Sequence, residues 1–86
     1  MEPENFNLEK EYYRTIRMNI KRYRGEEGLS QEKLSEKIGK GVSYIRNIEG
    51  ENSKTLPSLP ALVKIAVALD VSLALLCARE EDKAEM

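Results

Sequence analysis

The stretch Leu29–Glu51, LSQEKLSEKIGKGVSYIRNIEGE, contains two short helical patterns separated by a turn with two glycines. In each pattern the apolar residues recur at steps of three or four, which places them on one face of an α-helix. Glycine tolerates positive φ, so Gly39-Lys40-Gly41 can reverse the chain direction without strain. The stretch therefore predicts two short helices, Gln31–Ile38 and Val42–Glu49. Their inward positions are Leu34, Ile38, Ile45 and Ile48.

Three further helical patterns flank this stretch, and no alternating strand pattern competes with them. The first helix is expected from about Leu8 to Gly28, where glycine is a natural C-cap. Serines that can cap the later helices stand at three expected helix starts, Ser30, Ser58 and Ser72. We expect a compact all-α domain of five helices over residues 8–79. A flexible N-terminal tail at 1–7 and a charged C-terminal tail at 80–86 are expected to flank it.

The composition limits the chemistry that the chain can perform. With one cysteine and no histidine, neither an internal disulfide nor the usual zinc site can be built, and Cys-His or Ser-His catalysis is excluded. We therefore expect no metal, no cofactor and no enzymatic activity. No apolar run approaches the roughly 20 residues that span a bilayer, and the first ten residues lack the features of a signal peptide. These observations predict a cytoplasmic protein without membrane contact.

The charge is distributed unevenly along the chain. The whole chain carries −1, but the segment from Tyr12 to Asn47 contains nine Lys and Arg against four Glu, a net +5, so the remainder carries −6. A basic segment between acidic ends is typical of a surface that binds a polyanion. The alternative is that these charges simply solvate helix surfaces, and the charge pattern alone leaves both open.

The second short helix, 42–49, has an outward side without carboxylates. With Ile45 and Ile48 turned inward, Ser43, Arg46 and Asn47 fall on the opposite side, and Val42 lies at the boundary. The major groove of DNA is wide enough for such a helix, and an asparagine amide matches the donor and acceptor of adenine. Arg46 suits either guanine or a phosphate, and Ser43 suits either a base or a phosphate. Each of these residues is also an ordinary surface residue, so the prediction depends on their combination.

Two short helices joined by a glycine-containing turn form a helix-turn-helix pattern. Four segments carry a more specific likeness, namely GLSQEKLSEKIG (28–39), YIRNIEGE (44–51), PSLPALVKIAVALDVS (57–72) and LALL (73–76). Through them residues 16–78 resemble the phage lambda and Cro repressor (Xre-type) helix-turn-helix family. The resemblance implies a lambda-repressor-like domain in which 42–49 is the recognition helix.

The resemblance also implies which residues meet double-stranded DNA. Gln31 would touch a phosphate or support the recognition helix, Gly41 would be its N-cap, and the loop after it would meet phosphates. The full implied set is Gln31, Lys40, Gly41, Val42, Ser43, Arg46, Asn47, Asn52, Ser53 and Lys54. Arg24 and Glu49 match positions where related proteins form a buried structural ion pair.

A single module of this kind makes few base contacts, so we expect a two-fold homodimer on a palindromic operator. The C-terminal region offers apolar residues for the interface, and the candidates are Val71, Leu73, Leu76 and Cys77. These residues can equally well close the helical core.

The expected function is a sequence-specific transcriptional regulator on nucleoid DNA, a repressor or a controller-type protein of a restriction-modification system. The alternative is a protein-interaction adaptor or antitoxin that keeps the fold but binds little DNA, which a net charge near zero favours.

Overall fold

The computed structural model describes the backbone of residues 3–50 and 55–86, with side chains from Asn7 onward. Within this described part the chain is all-helical, which confirms the predicted fold class, and it contains six helices. They are α1 (Pro3–Glu26), α2 (Gln31–Lys37), α3 (Ser43–Glu49), α4 (Leu59–Leu69), α5 (Leu73–Cys77) and α6 (Glu80–Lys83). No helix in these described ranges is long and apolar enough to cross a bilayer.

The first helix begins at Pro3, earlier than the start near Leu8 that the sequence predicts. Proline suits the first helical position because the N–H that it lacks would have had no partner within the helix. At the other end α1 stops at Glu26, and Gly28 follows with a φ of 70°. Glycine adopts this left-handed conformation without steric cost, so the chain can leave the helix sharply and enter α2.

The charged C-terminal segment, which the sequence predicts to be a tail, forms a short helix, α6, over its first four residues. The carboxylate of Asp82 accepts hydrogen bonds from the Arg79 backbone N–H at 3.1 Å and from the Tyr12 hydroxyl at 2.8 Å. The Arg79 guanidinium also donates to Asp82 and lies 4.7 Å from the centre of the Tyr12 ring. Hydrogen bonds from Arg79, and then from Tyr12, hold the pKa of Asp82 well below its ordinary value. These contacts fasten α6 to α1.

The predicted serine caps are confirmed at three helix starts. Ser30 accepts a hydrogen bond from the Lys33 backbone N–H at 3.0 Å, and Ser58 and Ser72 make the equivalent contacts at the starts of α4 and α5. Each contact satisfies a backbone donor that has no partner inside its helix. In the turn between α2 and α3 only Gly39 has positive φ, at 72°. The predicted turn therefore uses the conformational freedom of glycine at Gly39 and not at Gly41.

The core lies where α1 to α5 meet, and α2 and α3 are packed into it by the residues that the periodicity predicts. Each of the five helices contributes side chains that are less than a tenth exposed. The buried cluster is Ile20, Tyr23, Leu34, Ile38, Ile45, Ile48, Ile65, Ala66, Leu69 and Leu76.

Asn19 is a buried polar residue within this packing, with 7% of its surface exposed. Its amide nitrogen donates to the carbonyl oxygens of Leu76 and Ala78, both at 2.9 Å. Carbonyls at a helix end have no partner within the helix, so the side chain from α1 satisfies them and anchors the end of α5.

We expect Asn19→Ala to lower the free energy of unfolding by about 1–3 kcal/mol, since buried carbonyls would lose their hydrogen bonds. The change is measured by urea unfolding followed by circular dichroism. Met18→Ala is the matched control, because Met18 is the adjacent residue and is 59% exposed. Equal stability of the two variants would contradict the anchoring role of Asn19.

Candidate nucleic-acid interface

The candidate interface is built on α2, the turn after it and α3. The turn closes through a hydrogen bond of 2.8 Å from the Lys40 N–H to the Ser35 carbonyl. Helix α3 then begins at Ser43, and Val42 occupies the N-cap position without a side-chain cap. The resemblance assigned this position to Gly41, so that assignment is one residue too early. The Gly41 carbonyl instead accepts the Tyr44 N–H at 3.0 Å.

The inward side of α3 is held firmly in the core. Ile45 and Ile48 are fully buried, and the backbone N–H of Ile45 donates to the hydroxyl oxygen of Ser35 at 3.4 Å. Ser35 is itself fully buried in α2. A serine in a helix interior needs a hydrogen-bond partner, and here α3 supplies it. The contact ties the two helices together, so the orientation of α3 follows that of α2.

The opposite side of α3 faces solvent. Ser43, Arg46 and Asn47 are exposed, and Val42 at the helix start is 57% exposed. We call these four residues the outer face of α3. The helix carries one acidic residue, Glu49, and this residue does not belong to the outer face. The outer face therefore presents a hydroxyl, a guanidinium, an amide and a small apolar group.

Glu49 is turned away from solvent into a network with α1 and α2. Its carboxylate accepts two hydrogen bonds from the Arg24 guanidinium, at 2.7 and 2.9 Å. The side chains of Arg24 and Glu49 are only 15% and 3% exposed. Arg24 also donates to the Leu29 carbonyl at 2.8 Å, just before α2. The hydrogen bond to Glu49 raises the pKa of Arg24, which keeps the guanidinium charged.

Gln31 belongs to the same network. Its amide nitrogen donates to the Glu49 carboxylate at 3.0 Å. Of the two roles that the resemblance left open for Gln31, this contact corresponds to supporting the recognition helix. The side chain thus connects the first residue of α2 to the last residue of α3.

The remaining candidates are Lys40, in the turn before α3, and three residues that follow Gly50 in the sequence. Lys40 is exposed, and its ammonium lies 5.3 Å from the centre of the Tyr44 ring. Asn52, Ser53 and Lys54 lie outside the described residues.

Arg17 is a contributor that sequence reasoning missed, because it counted Arg17 only as one of the cations of α1. The guanidinium of Arg17 donates to the carbonyl oxygens of Gly50 and Thr55, both at 3.3 Å. These two carbonyls stand on either side of residues 51–54. Arg17 therefore fixes the points where the chain leaves α3 and returns toward α4.

The dimer candidates need one correction. Leu76 is fully buried in the core, so its side chain is not available to a second copy. Val71, Leu73 and Cys77 are half-buried, and burial raises the pKa of the Cys77 thiol.

We expect Glu49→Ala to destabilise the fold by about 3–5 kcal/mol, because it leaves the Arg24 guanidinium buried without its partner. The double variant Arg24→Met/Glu49→Leu removes both charges, and we expect it to recover most of that loss. Urea unfolding of Glu49→Ala, of Arg24→Met and Glu49→Leu alone, and of the double variant measures these effects. A double variant as unstable as the sum of Arg24→Met and Glu49→Leu would show that the residues act independently.

Comparisons with known proteins also identify a helix-turn-helix domain. The sequence profile of the helix-turn-helix family matches residues 20–76. The HTH-type transcriptional regulator SinR of Bacillus licheniformis is 43% identical over 70 residues, which cover 81% of this chain and 61% of that protein. SinR of Bacillus subtilis (strain 168) is 46% identical over 57 residues, covering 66% of this chain and 50% of that protein. The chain thus spans about half to three fifths of the length of these curated relatives.

A solved structure of a SinR protein has a similar fold. The crystal structure of SinR, the master regulator for biofilm formation, in complex with DNA superposes with a TM-score of 0.66 and 43% sequence identity. The match covers 73% of this chain and 98% of the solved chain. With the family profile matching most of the chain, and with α2, the turn and α3 arranged as described, the chain belongs to the helix-turn-helix family.

Proposed function

We propose that the protein is a sequence-specific regulator of transcription that binds double-stranded DNA by inserting α3 into the major groove. The observation that carries the proposal is the withdrawal of Glu49 from the outer face of α3. A carboxylate on that face would repel the phosphates that line the groove. With Glu49 buried against Arg24, the four residues of the outer face of α3 offer the groove neutral and cationic groups.

The outer face fits the chemistry of base edges. The side-chain amide of Asn47 can donate a hydrogen bond to adenine N7 and accept one from the adenine N6 amino group. Arg46 can make a bidentate contact with guanine or pair with a phosphate. Both side chains are exposed, and the buried isoleucines behind them fix the helix from which they project. A rigid support of this kind is what positions side chains for base reading.

Contacts to phosphates would hold the module in register without reading sequence. In the proposal Lys40 and the loop residues Asn52, Ser53 and Lys54 serve this purpose, with Gly41 and Gln31 at the adjoining helix ends. Arg17 supports the same region, since it donates to the carbonyl oxygens of Gly50 and Thr55, on either side of residues 51–54. The relatives named SinR are HTH-type transcriptional regulators, and a SinR structure in complex with DNA is among the similar solved structures. Both findings support the same activity here.

The proposal includes a homodimer on a palindromic operator, because one recognition helix reads too few base pairs to be selective. A two-fold dimer would place its half-sites about one helical turn apart, roughly 34 Å. Its site of action would be nucleoid DNA in the cytoplasm. The simplest mode of action is that of a repressor or controller-type protein, with no catalytic step.

One observation favours a second candidate function. The first turn of α6 is formed by three acidic residues, Glu80, Glu81 and Asp82, and the net charge of the chain is −1. Both would weaken attraction to DNA at long range. A protein-interaction adaptor or antitoxin with the same fold would retain the α3 scaffold but bind little DNA.

Salt dependence separates these two functions. For a DNA-binding regulator we expect the logarithm of the association constant to fall linearly with the logarithm of salt concentration, with a slope steeper than about −2, because each neutralised phosphate contributes about −0.9. Fluorescence anisotropy with a labelled duplex selected from a random pool measures this slope. Negligible affinity even at low salt would favour the adaptor.

The base-reading role of Asn47 gives a sharper prediction. We expect Asn47→Ala to weaken binding to the preferred site by about 1–3 kcal/mol and to relax the preference at one base position, because a bidentate contact is lost. Lys40→Ala is the comparison, and it should weaken all duplexes alike. Competition binding against duplexes with single base changes measures both. If Asn47→Ala keeps the full selectivity of the unmodified protein, the base-reading assignment is wrong.

A further inference from the structure

Helix α4 has an exposed apolar row that the core does not use. Leu59, Val63 and Val67 are 64%, 44% and 76% exposed, respectively. They recur every four residues, so they form a single row along the helix. The opposite side of the same helix is buried in the core through Ala61, Ile65, Ala66 and Leu69. Helix α4 is therefore apolar both toward the core and away from it.

The composition of α4 is unusual for a helix at the surface. Among its eleven residues Lys64 is the one that carries a charge. A helix at the surface of a soluble domain ordinarily places charged and polar residues on the face opposite the core, and a helix that is apolar nearly all round is typical of one that is covered on both sides. The outer row of α4 thus has the composition of a contact surface.

The spacing of the row identifies what can cover it. Val63 lies at the centre, and Leu59 and Val67 each lie about 6 Å from it along the axis, given a rise of 1.5 Å per residue. The row is therefore almost unchanged when it is reversed end to end. When two copies of α4 pack antiparallel, the two Val63 side chains meet near the two-fold axis and Leu59 of each copy meets Val67 of the other. An isologous dimer requires this kind of self-complementary surface.

We propose that the Leu59–Val63–Val67 row is a homodimerisation surface, at which α4 of one protomer packs antiparallel on α4 of its partner. The three residues form one ridge with a four-residue repeat, and in this arrangement the ridge of one protomer lies along the ridge of its partner. The row contains no charged residue, so its partner does not need a complementary charge. A second copy of this chain offers the matching apolar surface without any other requirement.

The size of the surface sets the strength of the dimer. From the exposed fractions, the row offers on the order of 300 Å² per protomer, well below the roughly 800 Å² per partner of a stable complex. The free dimer is therefore weak and depends on concentration. Binding to two adjacent half-sites raises the local concentration and stabilises the same contact. This inference deepens the proposed function, and it rests on that function only for this last step.

Cysteine cross-linking in the absence of DNA tests the geometry. Because Val63 lies near the two-fold axis, Val63→Cys should give a covalent dimer under mild oxidation, with the link mapped by mass spectrometry to position 63 of both chains. Val67→Cys alone should cross-link to itself far less, since its two copies lie about 12 Å apart along the axis. A mixture of Leu59→Cys and Val67→Cys chains should cross-link to each other. The unmodified chain, which keeps Cys77, is the control for background oxidation.

Sedimentation equilibrium tests the energetics with a charge placed on the row. We expect Val67→Lys to raise the dimer dissociation constant at least about tenfold, because the ammonium would be buried against an apolar partner. Met18→Lys is the matched control, since Met18 is a similarly exposed apolar residue that lies on α1, and it should leave the dissociation constant unchanged. Thermal unfolding checks that both variants remain folded.

Three results would overturn the proposal: an unmodified chain that stays monomeric up to millimolar concentration, cross-links that avoid position 63, or equal dissociation constants for the two lysine variants. These results are independent of DNA binding. Failure of the proposed function would appear instead as absent affinity for single half-site duplexes, which Val67→Lys should bind as well as the unmodified chain does.

Discussion

The carboxylate of Glu49 stands at the end of α3, 3% exposed, and receives hydrogen bonds from Arg24 on α1 and Gln31 on α2. One acidic group thus joins three helices at the point where α3 ends. Taking ions out of water is costly, and attraction between partners offsets that cost only when the geometry is good and the remaining hydrogen bonds are made. The bidentate contact to Arg24 and the added bond from Gln31 meet that condition. The network fixes the orientation of α3 more tightly than apolar packing alone would.

The outer face of α3 depends on this arrangement. A helix of seven residues is too short to be stable by itself, so its conformation depends on tertiary contacts. Ile45, Ile48 and the hydrogen bond to Ser35 hold one side, and Glu49 holds the end. The side chains that remain, Arg46 and Asn47 among them, project from a support that does not have to reorganise when a ligand arrives. Binding then loses less conformational freedom.

The sequence predicted α2 and α3 to within one residue because their apolar spacing is a local property of the chain. It did not predict α6, because that helix depends on Asp82 meeting Tyr12, which lies 70 residues away in sequence. The pairing of Arg24 with Glu49 was expected only from the family resemblance, since both residue types are usually exposed and periodicity does not reveal their partners. Leu76 was assigned to an interface because apolar periodicity alone does not distinguish a residue that closes the core from one that contacts a partner. The contacts of Arg17 with Gly50 and Thr55 and the exposed row of α4 depend on tertiary structure, so the sequence alone did not predict them.

In the proposed complex α3 contacts the bases of DNA through its outer face. The most direct measurement is a titration of the ¹⁵N-labelled protein with a duplex selected from a random pool, followed by amide chemical shifts at low salt. We expect the largest shift changes in residues 42–47 and at Gln31, while α6 stays unchanged. Shift changes concentrated in α5 and α6, with α3 unaffected, would contradict it.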